Sequence, residues 1–467
     1  MKIKLFIAVV VVGFIAVFIN TIFPKLDKTY LKKVDKKPNL IIISFDGLQA
    51  KHLSSYGYKL NTTPNLDAFL NQSSLFTKTV SPSSWTVPTH MSIFTSMYPS
   101  EHKVVNKFSD FDMKTQKGVI ANLKKLSPNA VTLAEILKSN GYVTGGFTGD
   151  AGVGPQFGFN QGFDTYFETE TFGGLDGSAP KALEWLTQNK DKPFFLFLHG
   201  YDVHGQHEIN GGYDYRYVTK PYTGKYTGSK AEQGKLREEA LAKGSLNLSD
   251  EDVAFWRAIY DEKINDMDME FKKFMDQAKE MNALDNTIVI VMSDHGTEFY
   301  EHGTIDHGAT LYSELVNVLL AIHQPGQTEG KKINQLVSTF DLLPTVLDLL
   351  NITNPVPNQI KGISLTPSLS GQNVAHNVFS ETDYRLYTFK RSLTTVDGWK
   401  FILTLDSGKK ELYDLNNDPN ELVNLISKNP VKGYELEQIL HDHINAVSGQ
   451  RTSEGLGCSP VYGDQCK

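Results

Sequence analysis

Continuous apolar runs organise the chain, and three of them share one form. Residues 39–44 lead to Asp46, residues 193–198 lead to His199 and Asp202, and residues 287–292 lead to Asp294. Each run is rich in β-branched, leucine or aromatic side chains and stops at an acidic or histidine-bearing turn. Short runs without polar alternation suit strands covered on both faces, which predicts an α/β fold with a large, mostly parallel sheet flanked by helices. Ligands bind beyond the carboxyl ends of the strands in such sheets, where these polar residues fall. Residues 249–281 predict the clearest helix. Val253, Trp256, Tyr260, Ile264, Met267, Phe271 and Phe274 recur at helical spacing as a core stripe, behind Ser249 as a cap and an acidic first turn. Residues 211–244 are polar and rich in tyrosine and read as a long loop suited to covering a substrate. After residue 375 the strands shorten, which predicts a small C-terminal subdomain.

At the other end, residues 5–19 are apolar without a break and extend to Phe23, with Lys2 and Lys4 ahead of them. No small-x-small cleavage site follows, so the segment reads as an uncleaved signal anchor, with a removed signal peptide as the alternative. Residues 24–37, rich in lysine, form a charged spacer. Those lysines argue for a cytoplasmic body. The two cysteines, Cys458 and Cys466, argue against it, because they stand close enough to close a short loop that persists only in an oxidising compartment. The expectation is a membrane-anchored protein whose body lies on the extracytoplasmic, periplasmic side, or a secreted one if the segment is cleaved.

The chain has 467 residues, with 53 acidic and 46 basic side chains and a net charge of -7. No basic stripe is present, so nucleic acid is not expected as a partner. Both cysteines lie in the last ten residues, which excludes a cysteine nucleophile, a thiolate metal cage or a disulfide framework from the body.

Candidate chemistry sits in three segments. The first ends in Asp46-Gly47 at a strand tip. The second is Ser84-Trp85-Thr86-Val87-Pro88-Thr89-His90, where Pro88 suits a first helical position and sets Thr86 just ahead of a helix whose free N–H groups can hold an anion. The third is Ser293-Asp294-His295-Gly296, continuing to Glu298, His302, Asp306 and His307. Singly, Asp46 also reads as a turn residue and Thr86 as a helix cap, whereas Asp294 and His295 side by side read as metal ligands.

In this order the segments resemble the sulfatase family of the alkaline phosphatase superfamily. The resemblance extends over nearly all of the chain beyond residue 37. It includes His52-Leu-Ser-Ser-Tyr-Gly-Tyr, Thr63-Pro64-Asn65-Leu66-Asp67, Thr95-Ser-Met-Tyr98-Pro99, Asp294-His295-Gly296, His307-Gly-Ala-Thr-Leu-Tyr312 and Asp341-Leu-Leu-Pro344-Thr345. Later stretches, Gly362-Ile-Ser-Leu365 and Leu412-Tyr-Asp-Leu-Asn-Asn-Asp-Pro419, look like the C-terminal subdomain of sulfatases. The implied division is residues 5–23 anchor or signal peptide, 24–37 spacer, 38–375 sulfatase-like catalytic domain, 376–457 C-terminal subdomain and 458–467 cysteine-bearing tail.

One departure bears on the chemistry. Sulfatases place a cysteine or serine, matured to formylglycine, nine residues before the threonine that opens the Thr-Gly-x-Tyr-Pro stretch, and follow it with x-Pro-Ser-Arg. Counting back nine from Thr95 gives Thr86, and His90 stands in the place of the arginine. A threonine, branched at Cβ, cannot become that aldehyde. The resemblance therefore implies a metal-dependent hydrolase of phosphate esters (phosphodiester, phosphonate or monoester) in which Thr86 attacks phosphorus. The alternatives are a sulfuric ester hydrolase, a phosphoglycerol or phosphoethanolamine-type transferase, and a catalytically silent cell-surface binding protein. The resemblance implies one metal held by Asp46, Thr86, Asp294 and His295. A second would draw on Asp202, His204 or His207, and His307. Zinc or manganese is favoured, with calcium possible. If that second site is empty, His204 and His307 would contact the phosphoryl group or protonate the leaving oxygen, and His90 would meet the anion. The expected partners are an anionic ester on a lipid, glycan or small molecule, and the membrane through the N-terminal segment.

Overall fold

The three apolar runs become the three central strands of a large sheet. In the computed structural model, which describes residues 37–105, 110–112, 117–119, 125–150, 152–169 and 172–448, they are β1 (Asn39–Phe45), β5 (Phe194–Gly200) and β6 (Thr287–Ser293). The remaining strands are β2 (Ser74–Val80), β3 (Val143–Thr148), β4 (Thr165–Glu168), β7 (Leu320–His323) and β8 (Lys331–Ser338). Their order across the sheet is β8-β2-β7-β6-β1-β5-β3-β4. Only β7 runs against its neighbours; all other pairings are parallel. Alternate residues of β1 enter two different cores, Leu40 and Ile42 on one face and Ile41, Ile43 and Phe45 on the other. A strand with no solvent face needs no polar alternation, which is why the sequence runs are continuous.

Register places the chemistry. Phe45 pairs with Ser293 on one side and with Gly200 on the other, and Ser44 pairs with His199. Asp46 and Asp294 therefore leave adjacent parallel strands at the same edge, beside the last residues of β5.

Helix α1 (Thr86–Thr95) begins at Thr86 itself, two residues earlier than Pro88 implied, with Trp85 extended before it. Helix α2 (Leu175–Asn189) covers one face of the sheet. The region expected to be one long loop is corrected in its second half: Lys230–Lys243 form helix α3, capped by Ser229 and Glu232. Its long run of charged and polar residues hid the buried face made by Leu236, Ala240 and Leu241. The preceding tyrosine-rich stretch packs down: Tyr222 stacks on Phe255 with ring centroids 4.1 Å apart, and its hydroxyl donates to Asp252 at 2.5 Å.

Helix α4 (Asp250–Glu280) is the predicted helix, with Ser249 Oγ accepting from Asp252 N. Its stripe from Trp256 to Phe274 is buried, with Val253 packed at the edge. Asp261, Glu262, Lys263 and Asp268 are buried as well. They are satisfied by neighbouring segments; Asp268, for one, accepts from the backbone N–H of Leu66 and Asn65.

The predicted C-terminal subdomain is an antiparallel sheet of β9 (Val378–Thr382), β10 (Lys390–Thr394), β11 (Trp399–Thr404) and β12 (Lys410–Asp414), in that order. It is covered by α5 (Pro430–Ser448) through Leu436 and Leu440.

The expectation of a membrane-anchored, periplasmic protein is corrected. Among the described residues no helix is long and apolar enough to cross a membrane. The segment 5–23, the spacer and both cysteines lie outside the described residues, so nothing here supports an anchor.

Candidate active site

Asp46, Asp294 and His295 meet beyond the ends of β1 and β6, with no solvent exposure. Gly47 makes the junction: its φ of +73° suits glycine, and its N–H donates to Asp294 Oδ1 at 3.0 Å. His295 N donates to the same oxygen at 2.8 Å, which leaves Oδ2 of Asp294 without a hydrogen-bond partner. His295 Nδ1 is fixed on the carbonyl of Gly296 at 2.8 Å, so Nε2 faces inward. There it lies 3.3 Å from Asp46 Oδ1 and 3.5 Å from Asp294 Oδ2.

Thr86 completes this group. Its Oγ1 donates to Asp46 Oδ2 at 3.2 Å and lies 3.3 Å from His295 Nε2. The first turn of α1 thus delivers a hydroxyl, and the positive end of the helix dipole, to the strand edge.

A second group stands against the first. His307 stacks on His295 with ring centroids 4.4 Å apart, and its Nε2 is 3.4 Å from His204 Nε2. Gln206 N donates to His204 Nδ1 at 3.2 Å, which puts the His204 proton on Nε2. Asp306 pairs closely with His307 Nδ1, which puts the His307 proton there and leaves its Nε2 a lone pair. The two rings are therefore a ready donor and a ready acceptor. Asp306 holds this position with φ at +84°, a left-handed conformation that costs a non-glycine residue energy.

Electrostatics follow from burial and crowding. Burial works against ionised Asp46, but the His199 and His295 rings, each 3.3 Å from one of its oxygens, and nearby imidazole charge outweigh it and hold its carboxyl well below the ordinary range. Burial and the Asp46 charge push Asp294 up. Burial disfavours protonated His295, yet Asp294 and Asp46 outweigh it and raise the ring to about 9. Burial pushes His204 and His307 down, so both are neutral at pH 7.

Two expected metal ligands lie elsewhere. Asp202 Oδ1 accepts from Leu175 N at 2.9 Å, serving the start of α2, and its carboxyl is pushed up to about 7 by burial. His207 Nδ1 faces the carbonyl of Phe172 at 3.2 Å. Neither belongs to the clusters of His and Asp donors found among the described residues. His90 is fully buried between Ser44 Oγ, 2.9 Å from Nε2, and the Thr86 carbonyl, 3.0 Å from Nδ1. Sequence reasoning set His199 at a strand tip and Asp306 in the third segment but gave neither a role in the site. His199 ends a strand run and Asp306 precedes His307, but only register and a turn bring them inward.

The donors fit a cation. Asp46, Asp294 and His295 offer ligand atoms within 4.8 Å of one another, as do His204, Asp306 and His307. An orphaned, fully buried carboxylate oxygen on Asp294 is costly unless an ion answers it. Beside His307 opens a cleft of about 380 Å³ lined by Arg237, Asp306, Tyr387, Lys390 and Lys409, so its wall comes from both the large domain and the C-terminal subdomain.

Comparison with known proteins agrees with this architecture. The family model described as Sulfatase matches residues 38–352, and that described as N-sulphoglucosamine sulphohydrolase, C-terminal, matches residues 300–450. The Delta 4,5-hexuronate-2-O-sulfatase of Bacteroides thetaiotaomicron is 24% identical over 453 residues, covering 88% of each chain. Arylsulfatase K of Homo sapiens is 31% identical over 177 residues, and the match spans 36% of this chain and about a third (32%) of that relative. A solved structure in complex with its substrate D-glucosamine-2-N,6-O-disulfate superposes with a TM-score of 0.68 at 18% identity, covering 90% of this chain and 100% of that one. These findings overturn the phosphate-ester reading, because the relatives are sulfatases. The physical reason is that Thr86 rules out an aldehyde but does not choose the central atom. Sulfate and phosphate esters present similar tetrahedral anions to such a site. The enzyme is a metal-dependent, sulfatase-like hydrolase acting on ester bonds of anionic substrates, and with the family model covering two-thirds of its length, the chain belongs to the sulfatase family of the alkaline phosphatase superfamily.

Proposed function

We propose that this protein hydrolyses sulfuric esters of a saccharide, with the Thr86 hydroxyl as the attacking group. The observation that carries the reading is the placement of Thr86 Oγ1, at a helix start, 3.2 Å from Asp46 Oδ2 and 3.3 Å from His295 Nε2. A saccharide is supported by the sugar sulfates named for the relatives and by a polar cleft beside His307 roomy enough for a sugar ring. Asp46, Thr86, Asp294 and His295 would hold a divalent cation, and this oxygen and imidazole set favours zinc or manganese, with calcium a poorer match. Such an ion supplies Lewis acidity for the sulfate oxygens and eases loss of the Thr86 proton. Asp46 orients the hydroxyl by accepting from it. The start of α1 presents N–H groups to the anion. His204 Nε2–H is placed to give the leaving oxygen its proton, and the His307 Nε2 lone pair, held by Asp306, is placed to take one from the water that cleaves the threonine sulfate.

The test is sulfate release by the purified protein from an aryl sulfate, from glucosamine sulfates and from an unsaturated hexuronate 2-O-sulfate, with zinc, manganese or calcium added. An aryl phosphate serves as the comparison. Turnover of a sulfate is expected, reduced at least about a thousand-fold in Thr86→Ala and less in Thr86→Ser. Turnover of the phosphate alone, or sulfate release unchanged in Thr86→Ala, would refute the reading.

A further inference from the structure

The second oxygen of Asp46 faces donors that the first group leaves unused. His199 Nε2 lies 3.3 Å from Asp46 Oδ2, and His90 Nδ1 lies 3.6 Å from Asp294 Oδ2. His90, His199 and Asp294 are fully buried, and their ligand atoms lie within 4.8 Å of one another. Both ring nitrogens of His199 and Oδ2 of Asp294 have no hydrogen-bond partner among the described residues. Leaving one buried polar atom unmet costs about 1–3 kcal/mol. Of these, His199 Nε2 and Asp294 Oδ2 face the same space as His90, an arrangement poorly explained by core packing, since apolar side chains would fill that space without the cost.

We propose that His90, His199 and Asp294 bind a second divalent transition-metal ion, with Asp46 between the two ions. This rests on the reading of Asp46, Asp294 and His295 as the first cation site. Asp46 turns Oδ1 towards His295 at 3.3 Å and Oδ2 towards His199 at the same distance, which is the arrangement of a bridging carboxylate. Two imidazoles with a carboxylate suit zinc or manganese and do not suit calcium. Burial and the neighbouring His199 keep His90 neutral, the form that ligates. His90 Nδ1 lies 3.0 Å from the Thr86 carbonyl, placed to donate its proton to it. Binding shifts that proton to Nε2, where Ser44 Oγ at 2.9 Å accepts it and holds the ring.

The ion answers a charge deficit. The residues that would hold the two ions, Asp46, Thr86, His90, His199, Asp294 and His295, include no lysine or arginine, and His90 replaces the arginine that the resembling sulfatases carry. With one divalent ion, the carboxylates of Asp46 and Asp294 leave the centre neutral towards an anionic ester. A second ion makes it strongly attractive.

Metal content decides the matter. The full chain, stripped with chelator, would be reloaded with zinc and its bound zinc measured after gel filtration; cobalt loading adds a visible spectrum for each site. The expected result is two equivalents in the native chain and one in His199→Phe, with one cobalt component lost and unchanged circular dichroism. Should His199→Phe fail to fold, His90→Gln carries the same expectation. One equivalent in the native chain, retained in His199→Phe and lost in His295→Ala, would overturn the second site while leaving the first. Two equivalents that both survive in His199→Phe, with one lost in His307→Ala, would place the second ion at the other histidine pair and equally overturn it. No bound zinc at all would remove both.

Discussion

A threonine hydroxyl is a weak nucleophile at neutral pH, and in the proposed role its surroundings must do the activating. Thr86 meets a carboxylate kept ionised, an imidazole and the start of a helix, all buried, where such interactions are strong. Asp202 shows the opposite residue-scale case, a buried carboxylate that serves structure. Its Oδ2 has no hydrogen-bond partner, and a Cβ on Gly174 or Gly200 would come within 2.4 or 2.3 Å of its oxygens, so only glycine leaves room for it. Because burial raises its pKa in the folded state to about 7, its contribution is most favourable below the unfolded value near about 4 and is lost as pH rises through about 7. Asp202→Asn should therefore flatten the pH dependence of the thermal midpoint across that window and leave bound metal unchanged. A loss of metal would instead make Asp202 a ligand.

At the scale of elements, strand register is what assembles the site. A shift of one residue between β1 and β6 would turn Asp46 away from Asp294 and bury the wrong side chains on both faces. Helices then fix the edge. The long α4 carries a core stripe, and also the buried Lys263, which donates to the His204 carbonyl at 3.1 Å and so braces the turn that presents that ring. The start of α4 rests on Ser249 and Asp252. Ser249→Ala should cost about 1 kcal/mol in urea unfolding without altering KM. A change in KM would mean that the tyrosine-rich stretch anchored on this first turn, through Tyr222 and Asp252, reaches the substrate.

At the scale of the molecule, the C-terminal sheet is tied to the large domain by buried charge. Lys400 Nζ pairs with Glu421 Oε1 at 2.8 Å, and Glu421 Oε2 accepts from Ser313 N at 2.6 Å. Lys400→Met would leave Glu421 buried and unpaired, which costs about 3–5 kcal/mol. The thermal midpoint should fall while kcat per folded molecule holds, unless the cleft wall built from β10 and its neighbours loosens, in which case KM rises. Net charge matters at this scale too: at -7 the overall field repels an anionic ester, so attraction must be local, from cations and the start of α1.

The sequence by itself determined the sheet class, the strands that end at Asp46, His199 and Asp294, the capped helix after Ser249 and the family to which the chain belongs. Those features are written in local order: apolar runs, spacing and adjacent motifs, each legible within a few dozen residues. It also placed a threonine where formylglycine is ruled out, but a nucleophile does not name the atom it attacks, and the relatives corrected that step. Only the tertiary structure decided which polar residues converge. His199 was drawn to Asp46 by strand register, Asp306 was turned onto His307 by a strained backbone, and Asp202 was removed to the end of α2. The contact of His199 with Asp46 joins residues far apart along the chain and depends on how the sheet is threaded, while the left-handed turn at Asp306 is a backbone conformation that its side chain does not announce.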